Sequence, residues 1–172
     1  MSRSEKHEKL SKLLFFSGIV AILVGTGILT FLFGRKLCRD YRRNKLMEAN
    51  VVIEIPELRI KAPVLEGTGQ DVLSQAAGHF PGTGSPGAGN YCIAAHSSTI
   101  YKEYFNALKN AKTGMELRLY DVSKKQYTYY ITDTFIVEPN ETWILDDAGD
   151  VRVTLVTCTD DGTQRRIVVA KP

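Results

Sequence analysis

Residues 13–34 read LLFFSGIVAILVGTGILTFLFG, a run of 22 residues without a charged side chain. A helix needs about 20 apolar residues to cross the hydrocarbon core of a bilayer, whereas a cleaved signal has an apolar region of about 7–15 ending at a small-residue site. Here Arg35, Lys36, Leu37, Cys38 and Arg39 follow at once, with no such site. The run therefore reads as an uncleaved anchor. It leaves a tail of residues 1–12, a basic stalk of residues 35–50, and residues 51–172 as the one stretch able to form a folded domain.

The net charge of +3 averages two unlike parts. Residues 1–45 carry ten Lys and Arg against three Asp and Glu, so the remainder is mildly acidic. A basic head beside a membrane and an acidic domain do not suit nucleic-acid binding, and no such partner is expected. The anchor is flanked by Arg3, Lys6, Lys9 and Lys12 on one side and by Arg35, Lys36, Arg39, Arg42, Arg43 and Lys45 on the other. Counted alone, those charges would put residues 51–172 in the cytoplasm, although long domains translocate largely regardless of flanking charge.

Beyond the stalk the pattern shortens to strand length. Residues 51–55, 59–65, 91–95, 115–121, 125–133, 151–158 and 165–170 read as strands, with residues 115–133 forming a hairpin across Val122, Ser123 and Lys124. Residues 70–77 read as one short helix, with Thr68 as its cap and Gly78 just beyond. Residues 101–110 read as a helical turn or two. Residues 80–90 are too rich in Gly and Pro for regular structure. Their Gly82 and Gly84 lack the strand-to-helix context of a phosphate loop. Short strands with turn signals between them predict a closed barrel or a sandwich.

The chemistry concentrates near the end. There are three cysteines, and their spacing matches no zinc motif. Cys92 lies in an apolar run and is expected in the core; Cys38 lies beside the anchor. Cys158 closes the run Thr154-Leu155-Val156-Thr157-Cys158, and Arg165 and Arg166 open the final strand. If those strands pair antiparallel, the chain returns Arg165 beside Cys158. A thiol supplies a nucleophile, and a guanidinium lowers a thiol's pKa and holds charge on a carbonyl oxygen. A guanidinium stays protonated, so proton transfer falls to a histidine. His96 ends its strand and fits that role. His7 lies in the tail, and His79 is expected exposed at a helix end. Only one of Arg165 and Arg166 can face the cysteine, since neighbouring strand residues face opposite sides.

Over about residues 51–170 these features resemble the sortases, cysteine transpeptidases that fasten proteins to the cell wall of Gram-positive bacteria. The family's Thr-Leu-x-Thr-Cys motif matches Thr154, Leu155, Thr157 and Cys158, and its histidine matches His96 after Tyr91-Cys92-Ile93-Ala94-Ala95. Aligning Ile167-Val168-Val169-Ala170 with its last apolar run selects Arg165, which would leave Arg166 facing outward. The resemblance implies a mostly β fold: a closed barrel of about eight strands with one or two short helices, behind an N-terminal transmembrane helix. It implies that Cys158 cleaves the Thr–Gly bond of an LPxTG-type sorting signal through a thioacyl enzyme. His96 moves the protons, and a cell-wall precursor amine completes the transfer. Thr157 and Ala95 are expected to contact substrate, and Trp143, in the loop before the cysteine strand, either walls the substrate groove or fills the core. The catalytic domain would stand on the outer face of the cell membrane, with the N-terminus inside.

Three features depart from common members. Ala95 stands where many have glycine. Residues 80–90 hold no acid, where some relatives bind calcium. The later Glu138, Glu141, Asp146, Asp147 and Asp150 read as a solvated acidic loop, so no metal or other cofactor is expected. Residues 46–56 carry no lid of the pilus-building type. Two other readings stand beside the transpeptidase: a membrane-anchored hydrolase with the same triad, and a non-catalytic barrel that binds a partner.

Overall fold

A computed structural model of the chain describes the backbone of residues 3–97 and 104–172, with side chains from Phe15 onward in that range. The chain forms two compact units, residues 1–42 and 43–172. Helix α1 spans Arg3–Ala49. In the first unit its described apolar side chains, among them Phe16, Leu23 and Leu29, are exposed. Such a helix is long and apolar enough to cross a membrane.

The second unit is an eight-stranded closed barrel, as the family resemblance implied. Its strands are β1 (Val51–Ile55), β2 (Ile60–Glu66), β3 (Ala77–His79), β4 (Asn90–Ala94), β5 (Glu116–Tyr120), β6 (Gln126–Val137), β7 (Arg152–Cys158) and β8 (Arg165–Lys171). They close in the order β1-β2-β3-β4-β7-β8-β6-β5. The pairs β2/β3 and β4/β7 are parallel and the rest antiparallel. Full closure removes the exposed strand edges that invite aggregation. Pro63 is tolerated inside β2 because β3 joins that strand only from Val64, leaving Pro63 paired on one side. Strand β6 outruns its partner β5. A register shift between Ile131 and Asp133 lets its second half pair with β8 as far as Val137.

Two corrections concern the segment before β4. The helix expected over residues 70–77 ends after one turn: α2 is Gln70–Leu73, with Gly69 rather than Thr68 at its N-cap. Ala77–His79 instead forms β3, parallel to β2. Gly78 is required there, since a Cβ would sit 2.2 Å from the Gly67 carbonyl oxygen. His79, expected exposed, has a side chain only 12% exposed. The turn expected over residues 101–110 appears as a 3₁₀ turn at Asn106–Asn110, and residues 101–103 of that stretch lie outside the described residues.

Alternation along β4, β7 and β8 splits their side chains between two apolar clusters. Tyr91, Ile93, Val153, Leu155, Val168 and Ala170 fill the barrel core. Ala94, Val156, Ile167 and Val169 face the other way, into a second cluster with Phe80, Phe135, Val137, Ile144 and Leu145. The β6–β7 connection therefore covers the outer face of the sheet. It carries a 3₁₀ turn at Trp143–Leu145.

Candidate active site

Cys158 is the last residue of β7 and Arg165 the first of β8, and the two are direct antiparallel partners. On the other side of β7, Ala94 of β4 is level with Val156 in a parallel ladder. The backbone N–H of Ala95 continues that ladder, donating to the Val156 carbonyl at 3.2 Å. The paired register ends there; His96 lies two residues beyond Ala94, and Cys158 two residues beyond Val156. Neighbouring strands lie about 4.8 Å apart, so Cys158 and Arg165 stand side by side at one end of the sheet, and His96 follows β4 at that same end. Directly paired residues share a face, and so do residues two apart. Cys158 and Arg165 accordingly lie on the outer face that holds Val156 and Ile167. All three site residues are half-buried.

The loop that returns β8 to β7 is closed by its own side chains. Asp161 accepts from the Thr159 and Thr163 hydroxyls at 2.5 and 2.8 Å and from the Thr163 N–H at 3.2 Å. These donors hold its carboxyl below the usual carboxylate range. Gly162 takes a positive φ of 75° and donates its N–H to the Thr159 carbonyl. A turn of six short polar residues thus fixes the register that sets Arg165 against Cys158. The Arg165 guanidinium donates to the Gln164 carbonyl at 3.2 Å, and Lys109 pairs with Asp160 at 2.9 Å.

Arg166 is paired with Thr157, on the face opposite Cys158. That face belongs to Leu155 and Val168 of the barrel core, so Arg166 stands at the mouth of the barrel rather than outward as expected. Thr157 is 4% exposed, and its hydroxyl donates to the Ala95 carbonyl at 2.7 Å. This bond locks the end of β4 onto β7 immediately before His96. Ala95 is itself buried in the core cluster.

Trp143 is 54% exposed, and its ring stacks on Phe135 with centroids 5.8 Å apart and planes 5° from parallel. It lies on the surface of the β6–β7 connection rather than in the core. Beneath it a cavity of about 300 Å³ is lined by Asn90, Phe135, Trp143, Thr154 and Ile167 among others. Arg152 and Lys171 also line it, so the cavity runs along the outer face from Ile167 toward the ends of β4, β7 and β8 that lie away from Cys158. Asn90 and Phe135 were not singled out from sequence. The available signal was an asparagine opening a strand whose every other residue is apolar or aromatic.

Several other titratable groups are engaged elsewhere. His79 Nδ1 lies 2.7 Å from the Glu66 carboxylate, and its Nε2 lies 2.9 Å from the Thr83 hydroxyl and 3.1 Å from the Gly84 carbonyl. Its ring packs on Tyr91 at 4.5 Å. Cys92 is fully buried, and burial pushes its thiol up to about 11. Within the acidic stretch, Asp150 is taken by Arg152 and Lys171. Glu138 accepts from Gln164, and Asp147 from the Gly149 N–H. Among the described residues, no three His, Cys, Asp or Glu side chains form a metal-holding group.

A sortase-domain family model matches residues 53–172. The chain belongs to the sortase family. Sortase A of Streptococcus agalactiae is 38% identical over 123 residues, covering 68% of this chain and 49% of that relative. Among solved structures, a sortase D5 transpeptidase of Clostridium perfringens superposes with a TM-score of 0.65 at 31% identity, covering 77% of this chain and 87% of that one. Sortase A from Corynebacterium diphtheriae gives a TM-score of 0.67 at 25% identity, covering 72% and 60%. The chain spans about half the length of the curated relatives it matches. Sortases of more than one class stand among these relatives, so the similarity gives the family and not the class.

Proposed function

We propose that the chain is a membrane-anchored cysteine transpeptidase that acts on proteins bearing an LPxTG-like sorting signal. The thiolate of Cys158 attacks the threonine carbonyl of the Thr–Gly bond. The Arg165 guanidinium donates hydrogen bonds to the oxyanion that develops. The C–N bond breaks as His96 protonates the departing glycine amine, leaving a thioester on Cys158. An amine, in the cell a cell-wall precursor, then attacks the thioester, gives its proton to His96, and leaves with the threonine in a new amide. Nucleophile, proton carrier and charge stabiliser all come from the chain, so the reaction as drawn takes no cofactor. Trp143 and Phe135 form one wall of the peptide groove, while Thr157 and Ala95, buried on the face opposite Cys158, fix the end of β4 that leads to His96.

The observation that carries this reading is the direct pairing of Cys158 with Arg165 at the ends of β7 and β8, with His96 following the neighbouring strand β4 at the same end. The barrel stands outside the membrane and the N-terminus inside, because proteins with sorting signals and wall precursors are met there. Protease added to intact cells should then remove the barrel.

The test is product analysis. The full chain in detergent is incubated with a panel of LPxTG-variant peptides, with and without added amines, in the presence of a chelator. Transfer product is expected with amine, and slow hydrolysis without it. Hydrolysis that amine does not divert would make the protein a hydrolase. No cleavage of any peptide would favour a binding barrel.

A further inference from the structure

Thr154 opens the Thr-Leu-x-Thr-Cys run yet lies four residues, about 13 Å, from Cys158, too far to touch the reacting atoms. It is 2% exposed, and its hydroxyl donates to Asn90 Oδ1 at 2.7 Å. Asn90, itself 4% exposed, turns its Nδ2 toward the β6–β7 connection, donating to the Ile144 carbonyl at 3.0 Å and to the Asp146 carbonyl at 2.9 Å. Those two carbonyls bracket the end of the 3₁₀ turn that carries Trp143. The turn's own bonds are local: Leu145 N–H to Thr142 and Asp146 N–H to Trp143. Among the described residues, the other polar contact from the sheet to this turn is the long one from the Cys92 thiol to Ile144, at 3.9 Å. One buried amide, aimed by one buried hydroxyl, therefore ties the turn to β4 and β7.

We infer that Asn90 is a positioning residue: aimed by Thr154, it holds the Trp143 turn in the shape that receives the sorting peptide. The substrate is that of the transpeptidase reading above, on which this rests. A wall held in advance spares the peptide the cost of ordering it. Losing the tie would weaken binding of substrate and transition state alike, which raises KM and leaves kcat. Asn90→Asp keeps the size but removes both donors and sets a carboxylate oxygen against two carbonyls. Thr154→Val keeps the shape but removes the hydroxyl, and Thr154→Ser keeps the hydroxyl.

Trp143 is the chain's single tryptophan, so its fluorescence reports the turn without any turnover. The full chain in detergent is used throughout, with folding checked by circular dichroism. For Asn90→Asp and Thr154→Val we expect KM to rise about tenfold with kcat within about twofold, and acrylamide quenching of Trp143 to rise at least about twofold. Thr154→Ser should restore both. Should Asn90→Asp fail to fold, the Thr154 pair decides. Unchanged quenching, or a loosened Trp143 with KM unmoved, would overturn the inference. A wild-type chain that cleaves no sorting peptide would overturn the transpeptidase reading instead, and quenching would still decide whether Asn90 holds the turn.

Discussion

Cys158 and Arg165 are direct partners across the last antiparallel ladder of the barrel, joined by a turn of six residues. Because the partnership is set by backbone register, it does not rest on a long side chain finding its place. Arg166, one residue on, is turned to the opposite face by the same pleat.

That parity separates the two arginines experimentally. Arg165→Lys keeps the charge but loses the planar fork, and should lower kcat by about 100-fold or more. Arg166→Lys should stay within about threefold of wild type. Steady-state kinetics on a cleavable sorting peptide reads both, and equal effects would mean that the strand register is not what places the guanidinium.

Thr157→Val should be costly twice. It leaves the Ala95 carbonyl without its buried donor, a loss of about 1–2 kcal/mol in urea unfolding. It also frees the end of β4 directly before His96, so kcat should fall, while Thr157→Ser retains both stability and rate.

The cysteines should differ in reactivity. Cys92 is fully buried with its thiol raised to about 11, so little thiolate exists near neutrality. Iodoacetamide at pH 7.5 should modify Cys158 in the folded chain and leave Cys92 untouched until denaturant is added. Peptide mapping by mass spectrometry resolves each site. Labelling of Cys92 ahead of Cys158 would argue for an inert Cys158.

Asp150 gives a pH dependence of known sign. Hydrogen bonds from Arg152 and Lys171 hold its carboxyl well below the usual carboxylate range. A carboxyl depressed in the folded state stabilises above its unfolded value, near 4, and loses that contribution as pH falls toward the folded value. Asp150→Asn should therefore lower Tm modestly at pH 5 and above, the group being at the surface. The gap to wild type should narrow as pH drops from about 4 to 2. A gap that is constant over that range would assign the effect to something other than this charge.

Much of the fold was legible because most strands announce themselves locally. The apolar runs around Ile53, Ile93 and Leu155 are buried in the core and end at turn residues. The Cys158–Arg165 pairing follows from two adjacent strands and a polar turn, which needs no distant information. Ala77–His79 was misread because its strand character comes from outside. Ala77 is strand by pairing with Val64, and Gly78 by the close approach of Gly67. Burial of His79 likewise depends on Glu66 and Tyr91, neither adjacent in sequence. The Trp143–Phe135 stack and the Asn90 tie join segments separated by a connection whose path no local periodicity encodes. Closure of the sheet into a barrel rather than a sandwich came from the family resemblance, not from the pattern of strands.

The central proposal is that the sulfur of Cys158 carries the acyl group between donor and acceptor. Intact-mass spectrometry of the full chain, mixed with an LPxTG peptide and quenched in acid, observes that species directly. The result expected is an added mass equal to the peptide up to its threonine, mapped to Cys158, discharged by an added amine and missing in Cys158→Ala. Cleavage with no adduct on Cys158, or turnover retained in Cys158→Ala, would contradict it.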